Sequence, residues 1–315
     1  MLTYIAGRVL QGVFVLWAAF TLTFIVLFTL PGDPVQIMLN PGGGTYVPEA
    51  TIAATREQYG FDRPLLSQYG SRLLAAIGGD FGNSVQQRLP VSELISKSLP
   101  STISLTIAAL SLALVVGLLL AISAHYLHGA PRAILLALPG IGISIPVFWT
   151  GLVLIQVVSF RWNLLPAIGG TGFSSLILPA ITLAIPSAAI VAQIFFESLE
   201  STSRQAYIMT ARTKGAAEGR VLTRHITRPA LLPLLPMVAI LLGNLIGGAV
   251  VVETVFSRNG IGRLVADAVT RHDIPVVLGV VSLSALVFVI TSLIADLAAM
   301  WIDPRIRVAT TGDGL

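Results

Sequence analysis

Arg220, Arg224 and Arg228 stand at i, i+4 and i+8 and therefore fall on one stripe of a helix. Such a stripe can hold carboxylates or phosphates through charge-assisted hydrogen bonds, and it can equally rest on anionic lipid. Just before it come Ala211, Gly215, Ala216 and Ala217, small residues expected to let another surface approach the backbone closely. That combination points to docking of a soluble partner rather than to catalysis. The stretch as a whole, 197–233, carries Arg204, Arg212, Lys214, Arg220, Arg224 and Arg228 against Glu197, Glu200 and Glu218.

Polar side chains also occur inside the apolar runs around this stretch. Gln156, Gln193 and Asn244 fit either hydrogen bonds between helices or the lining of a path through them. Glu253 and Asp296 sit near the ends of their runs, where headgroup water is close, and an interfacial structural role suits both. Glu253 also stands with the three amides as a candidate for the path. Other chemistry lacks its residues. The chain has no cysteine, which excludes disulfides, thiolate metal sites and thiol nucleophiles. His125, His128, His225 and His272 are scattered without HExxH spacing, so no metal site is expected. Lys97 and Lys214 both stand outside any GxxxxGK[ST] loop, and neither GxSxG nor a paired-acid run occurs. No catalytic residue is assigned, and transport driven by ATP requires a separate ATPase.

The elements that must position these residues follow from hydropathy. Of 315 residues 55% are hydrophobic and 11% charged, where a soluble domain carries about a quarter charged residues; mean hydropathy is +0.86. Runs at 9–30, 101–124, 133–159, 176–196, 231–252 and 275–302 are long enough to cross a hydrocarbon core and lack the alternation of barrel strands. The first is longer than a signal-peptide core and reads as a retained span. The expectation is an all-α membrane protein with six transmembrane helices. Residues 1–30 hold the N-terminus and first span, 31–98 an extracytoplasmic insertion, 99–302 a five-helix core with a loop at 197–230, and 303–315 a tail.

PGDP at 31–34 ends the first helix, and EATIAATREQYG and QYGSRLLAAI read as short amphipathic helices within the insertion. Their mixed charge offers no face for nucleic acid. Lysine and arginine in the short loops number ten on the side of Arg8, Arg132, the 197–230 loop, Arg305 and Arg307, against four (Arg161, Arg258, Arg263, Arg271). That bias places both termini and the loop in the cytoplasm and accounts for the net charge of +4. Pro139 and Pro146, and Pro179 and Pro186, predict two kinked helices whose freed carbonyls find neighbouring donors; the alternative is bending helices that line a moving path. In the loop, a helix over 201–214 is stopped by Gly215, a second runs over 216–228, and Pro229 opens the fifth span.

TARTKGAAEGRVLTRHITRPALLP, at 210–233, resembles the "EAA" coupling loop of ABC importer permeases, in the form of the dipeptide, oligopeptide and nickel branch, which reads TARAKG, RVL, RH and NALLP. Further matches are PGDP, FDRPLLSQY at 61–69, GDFGNS at 79–84, LPSTISLT at 99–106, VVVETVFSRNGIGRLVADAV at 250–269 and DPRIR at 303–307. Met209-Thr210 replace the Glu-Ala of the loop's name, and Pro229, Ala206 and Asn259 replace the usual Asn, Asp and Pro. The resemblance implies a type I importer permease fold in a bacterial cytoplasmic (inner) membrane. It also implies an extracytoplasmic substrate-binding protein, a homologous second permease, and two cytoplasmic ATPases that bind the ATP and Mg, this chain holding no cofactor. By the same resemblance Thr210, Ala211, Arg212, Gly215, Ala216, Arg224, His225 and Arg228 meet an ATPase. The substrates implied are short peptides, with nickel chelates or glutathione as alternatives. The rival, a secondary transporter acting without ATP, calls for paired acids deep in the membrane.

Overall fold

The computed structural model describes residues 2–29, 34–39, 46–168 and 172–302. Pro31 to Asp33 of PGDP, the DPRIR segment with Arg305 and Arg307, and the side chain of Asp296 lie outside the described residues. Within them every regular element is helical: α1 (Leu2–Thr29), α2 (Pro34–Leu39), α3 (Glu49–Gln58), α4 (Leu65–Ile77), α5 (Val91–Tyr126), α6 (Ala130–Ser144), α7 (Val147–Leu154) continued by a π-helical segment Ile155–Arg161, α8 (Ser174–Ser203), α9 (Ala206–Thr213), α10 (Glu218–Arg220) continued by a π-helical segment Val221–Thr227 into α11 (Arg228–Ala230), α12 (Leu234–Val255), α13 (Ile261–Thr270) and α14 (Ile274–Ile302).

Five helices, α1, α5, α8, α12 and α14, are each long and apolar enough to cross a bilayer. The third apolar run departs from the single kinked helix expected over 133–159. It is broken into α6 and α7, which meet at 102°. Pro146 is the cause: its ring disfavours helix in the preceding residue, and Ile145 is extended at φ −82, ψ 125. Pro139 is accommodated inside α6, and Pro179 and Pro186 inside α8. Pro179 has no N–H for the carbonyl of Ser175 four residues back. Arg258 Nη1 donates to that carbonyl at 3.1 Å, the neighbouring donor that a membrane proline requires.

Two compact units are present, Met1–Thr102 with Asn259–Ile290, and Ile103–Arg258 with Thr291–Leu315. In the first, α3 and α4 form as the two short helices expected in the insertion, and α5 begins ten residues before the apolar run at 101. Asp273 is buried and accepts hydrogen bonds from Ser84 Oγ and from the backbone N–H of Val85 and Gln86. Thr102 Oγ1 accepts from the Ile261 N–H at 2.8 Å. LPSTISLT and NGIG thus hold each other by one buried polar contact, and GDFGNS is held to Asp273 by others. In the second unit α8 is the most enclosed helix. A side chain at Gly117 of α5 would meet Val191 at 2.7 Å and the Ala188 carbonyl at 2.8 Å, so glycine there is what lets α5 and α8 touch.

Candidate functional site

The polar stretch folds as two helices around a glycine, with shifted bounds. α8 ends at Ser203, and Gln205 is extended (φ −69, ψ 143), so the helix expected over 201–214 is two pieces, the end of α8 and α9. Gly215 takes φ +78, the left-handed conformation that ends helices. There the Gly215 N–H donates to Arg212 O at 2.9 Å and the Ala216 N–H to Ala211 O at 3.2 Å. Ala217 caps the second helix, which runs from Glu218 through Ala230, its middle π-helical. Pro229 lies in α11, so the fifth span starts at Leu234, after a turn at 231–233.

An apolar cluster seats this unit on the end of α8. Ile208, Val221, Ile226 and Ala230 are buried with Phe195 and Leu199, and Ala211 and Ala216 pack against them half-buried. Burying Ile208 alone stabilises the docked helix by about 2 kcal/mol. Tyr207 Oη donates to the His225 carbonyl at 3.3 Å, joining the two helices. Across the glycine break Arg212 pairs with Glu218 through two contacts, Nε to Oε1 at 3.0 Å and Nη2 to Oε2 at 3.2 Å. The outward surface is Thr210, Arg212, Gly215, Arg220, Arg224 and Arg228, all exposed. Of Ala211, Gly215 and Ala216, the three expected at the closest approach, only Gly215 is exposed, while Ala211 and Ala216 pack on the loop's own core; the neighbouring Ala217 is exposed too. No atom lies within 4 Å of the place a Gly215 side chain would occupy.

The residues that base this lever went unread in the sequence. Glu200 on α8 contacts His125 Nδ1 at 3.1 Å, Arg132 Nη2 at 3.3 Å and Arg204 Nη2 at 3.5 Å. Arg132 also lies over the Phe196 ring at 5.4 Å. The available signal was three charged or titratable residues flanking the ends of α5, α6 and α8, on one expected side.

The membrane polar residues differ in surroundings. Gln156 is exposed on the π-helical segment after α7, and Asn244 is exposed on α12. Gln193 and Glu197, one turn apart on α8, line a cavity of about 330 Å³ with Leu120, Leu135, Pro139 and Phe196. Glu253, near the end of α12, is 0% exposed, so protein encloses its side chain. Its carbonyl accepts from the Arg258 N–H at 2.8 Å, past Ser257 at φ +51. Burial lowers the Arg258 pKa below the usual arginine value, and the negative charge of Glu253 opposes that shift. Among the described residues no three of His, Cys, Asp and Glu stand close enough to hold a metal ion.

Residues 113–308 match the family described as "Binding-protein-dependent transport system inner membrane component", and residues 1–106 match its N-terminal companion. The chain is 34% identical over 308 residues to the glutathione transport system permease protein GsiC of Escherichia coli (strain K12), covering 98% of this chain and 99% of that one. The GsiC of Salmonella choleraesuis (strain SC-B67) matches to the same extent. Among solved structures, the inward-facing MetNI methionine ABC transporter aligns with a TM-score of 0.55 at 16% identity, covering 67% of this chain and 97% of that chain. An amino acid ABC transporter with histidines aligns at 0.52 and 16% identity, covering 68% and 94%. At that identity the likeness establishes the fold alone.

Proposed function

The chain belongs to the binding-protein-dependent transport system inner membrane components, and from that premise we propose that it passes short peptides, glutathione among them, through the membrane by coupling the 197–230 loop to ATPase closure. As a family member it is a multi-pass permease subunit of an ABC importer in the inner membrane, working with a substrate-binding protein and an ATPase. The finer composition is our reading: a homologous second permease, two ATPase subunits or domains, and ATP with Mg bound on those partners. Glutathione is itself a tripeptide, so the name of the relative and the peptide reading agree in chemistry.

The observation that carries the coupling role is the built lever: a helix, Gly215 and a second helix, seated by an apolar cluster with an outward face of Thr210, Arg212, Gly215, Arg224 and Arg228. Ala211, Ala216 and His225 hold that face in shape. Arginines on it supply charge-assisted contacts to the ATPase cleft. ATP binding must favour the outward-open state through contacts at this loop that differ between the two states. Hydrolysis then removes that difference and resets the spans.

The contacts of Glu200 also support counting six spans. His125 and Arg132 flank one short loop, and both meet Glu200 near the far end of α8. If α8 crosses the bilayer, its start lies opposite that loop, and the bent pair α6 and α7 must carry the chain across. Six crossings put both termini and the lever on one side, which the arginine bias makes the cytoplasm. The insertion at 31–98 is then extracytoplasmic.

Gly215→Asp tests the coupling. It places a charged side chain on the open side of the glycine, and the assembled complex is expected to lose substrate-stimulated ATPase and uptake while it still binds detergent-purified partners weakly. Full transport with full stimulated ATPase in the assembled variant would refute the role.

A further inference from the structure

We propose that α4 is an interfacial helix whose stripe of Leu66, Leu74 and Ile77 beds among the lipid acyl chains at the level where α1 leaves the bilayer. The proposal rests on the topology argued above. These three side chains are 86%, 73% and 79% exposed. At about 100° per residue they share an arc of about 80° with Gly70, and no charge falls in it. The other flank of the helix is polar: Gln68, Ser71 and Arg72 line a cavity of about 610 Å³ together with Glu57, Tyr59 and Asp80. Arg72, the one charged residue of α4, turns wholly to that side. Its guanidinium lies 5.5 Å from the Phe28 ring and 5.0 Å from Phe61, and it donates to the Tyr59 carbonyl at 3.0 Å.

Depth decides between lipid and a soluble partner. Tyr69 of α4 meets Thr21 of α1, Oη to Oγ1, at 2.8 Å, and its ring lies 5.4 Å from Phe24 and 6.1 Å from Phe20. The apolar span of α1 ends at Phe28. Thr21 is two turns inside that end, about 10 Å along the axis. A helix standing clear of the membrane would not put a ring at that depth. An amphipathic helix that sinks its apolar face about 5–10 Å past the headgroup boundary does so. Leu22, beside Thr21, is itself exposed, so the apolar surface continues from the span onto the stripe. The arrangement makes α4 a float: bilayer on one flank, the polar cavity on the other.

The absence of cysteine allows a direct test. Single cysteines at Leu66, Leu74, Ile77 and Ser71 are spin-labelled in the complete transporter, reconstituted into phosphatidylcholine–phosphatidylglycerol nanodiscs with partners stripped of cysteine. Oxygen is expected to relax the labels at 66, 74 and 77 more than a water-soluble nickel chelate does, and the order should invert at 71. Stronger relaxation by the chelate along the stripe would overturn the proposal. So would protection from both agents, because a protein surface would then cover the stripe. Labelling of Gln58→Cys by an impermeant thiol reagent on intact cells checks the topology separately. If Gln58→Cys is unreactive, the topology reading fails; if it reacts while the stripe behaves as aqueous, the helix proposal alone fails.

Discussion

Gly215 is held at φ +78 with open space around it, so a substitution there tests backbone strain separately from packing. Gly215→Ala is expected to cost about 1 kcal/mol, because an L residue is strained in the left-handed region. Gly215→Asn is expected to cost less, since asparagine visits that region more readily. Thermal unfolding of the purified complex should rank wild type, Asn and Ala in that order, and equal midpoints would mean that the turn is not held in this form. Glu200 makes a second residue-scale case. Replacing it with glutamine removes the charge that faces His125, Arg132 and Arg204, at a cost of about 1 kcal/mol for partly exposed pairs. A double-mutant cycle with Arg132→Gln should show coupling, whereas strict additivity would mean that the two do not interact. Gly215 was legible in the sequence because a glycine between two helical patterns is a local signal. Glu200 was not, since its partners His125 and Arg132 are far away along the chain.

At the scale of elements, the lever depends on one apolar seat. Ile208→Ala empties a fully buried position and is expected to cost about 2–5 kcal/mol, undocking α9 from α8. Hydrogen exchange should show faster exchange across 206–213 while α12 is unchanged; uniform protection would argue against the seat. The break at Pro146 allows a similar test. Pro146→Ala lifts the restriction on Ile145, and straightening toward one helix should move positions 134 and 152 apart, toward about 27 Å. Spin-label distances between Ile134→Cys and Leu152→Cys read that change, and an unaltered distance would place the cause of the bend elsewhere. The sequence pattern predicted alike for two proline pairs, yet they behave differently. Pro179 leaves a Ser175 carbonyl that Arg258 can reach, so α8 stays continuous, while at Pro146 the chain turns by 102°. Which proline finds a donor is a matter of neighbours, and neighbours are not written locally.

For the whole molecule, the family assignment carries a functional expectation: uptake should require the partners. Proteoliposomes holding this permease with its ATPases and binding protein are expected to accumulate labelled glutathione or dipeptide only with ATP inside the cytoplasmic compartment. Uptake by this chain alone without ATP would contradict the coupling role. Much of this was determined by the sequence itself, because hydropathy and glycine act locally: the all-helical membrane class, the apolar runs, the arginine bias and the helix, glycine, helix order of the loop. Ordered motifs added the family, although the contacts of Asp273 with 84–86 and of Thr102 with Ile261 assign several of them to holding the fold. Only the tertiary structure decided that Glu253 is buried, that Glu200 ties the ends of three helices, that Ala211 and Ala216 face inward, and that Tyr69 places α4 beside the deep turns of α1. Each of these depends on which side chains meet across distant parts of the chain, and a contact between residues far apart in sequence leaves no periodicity to read.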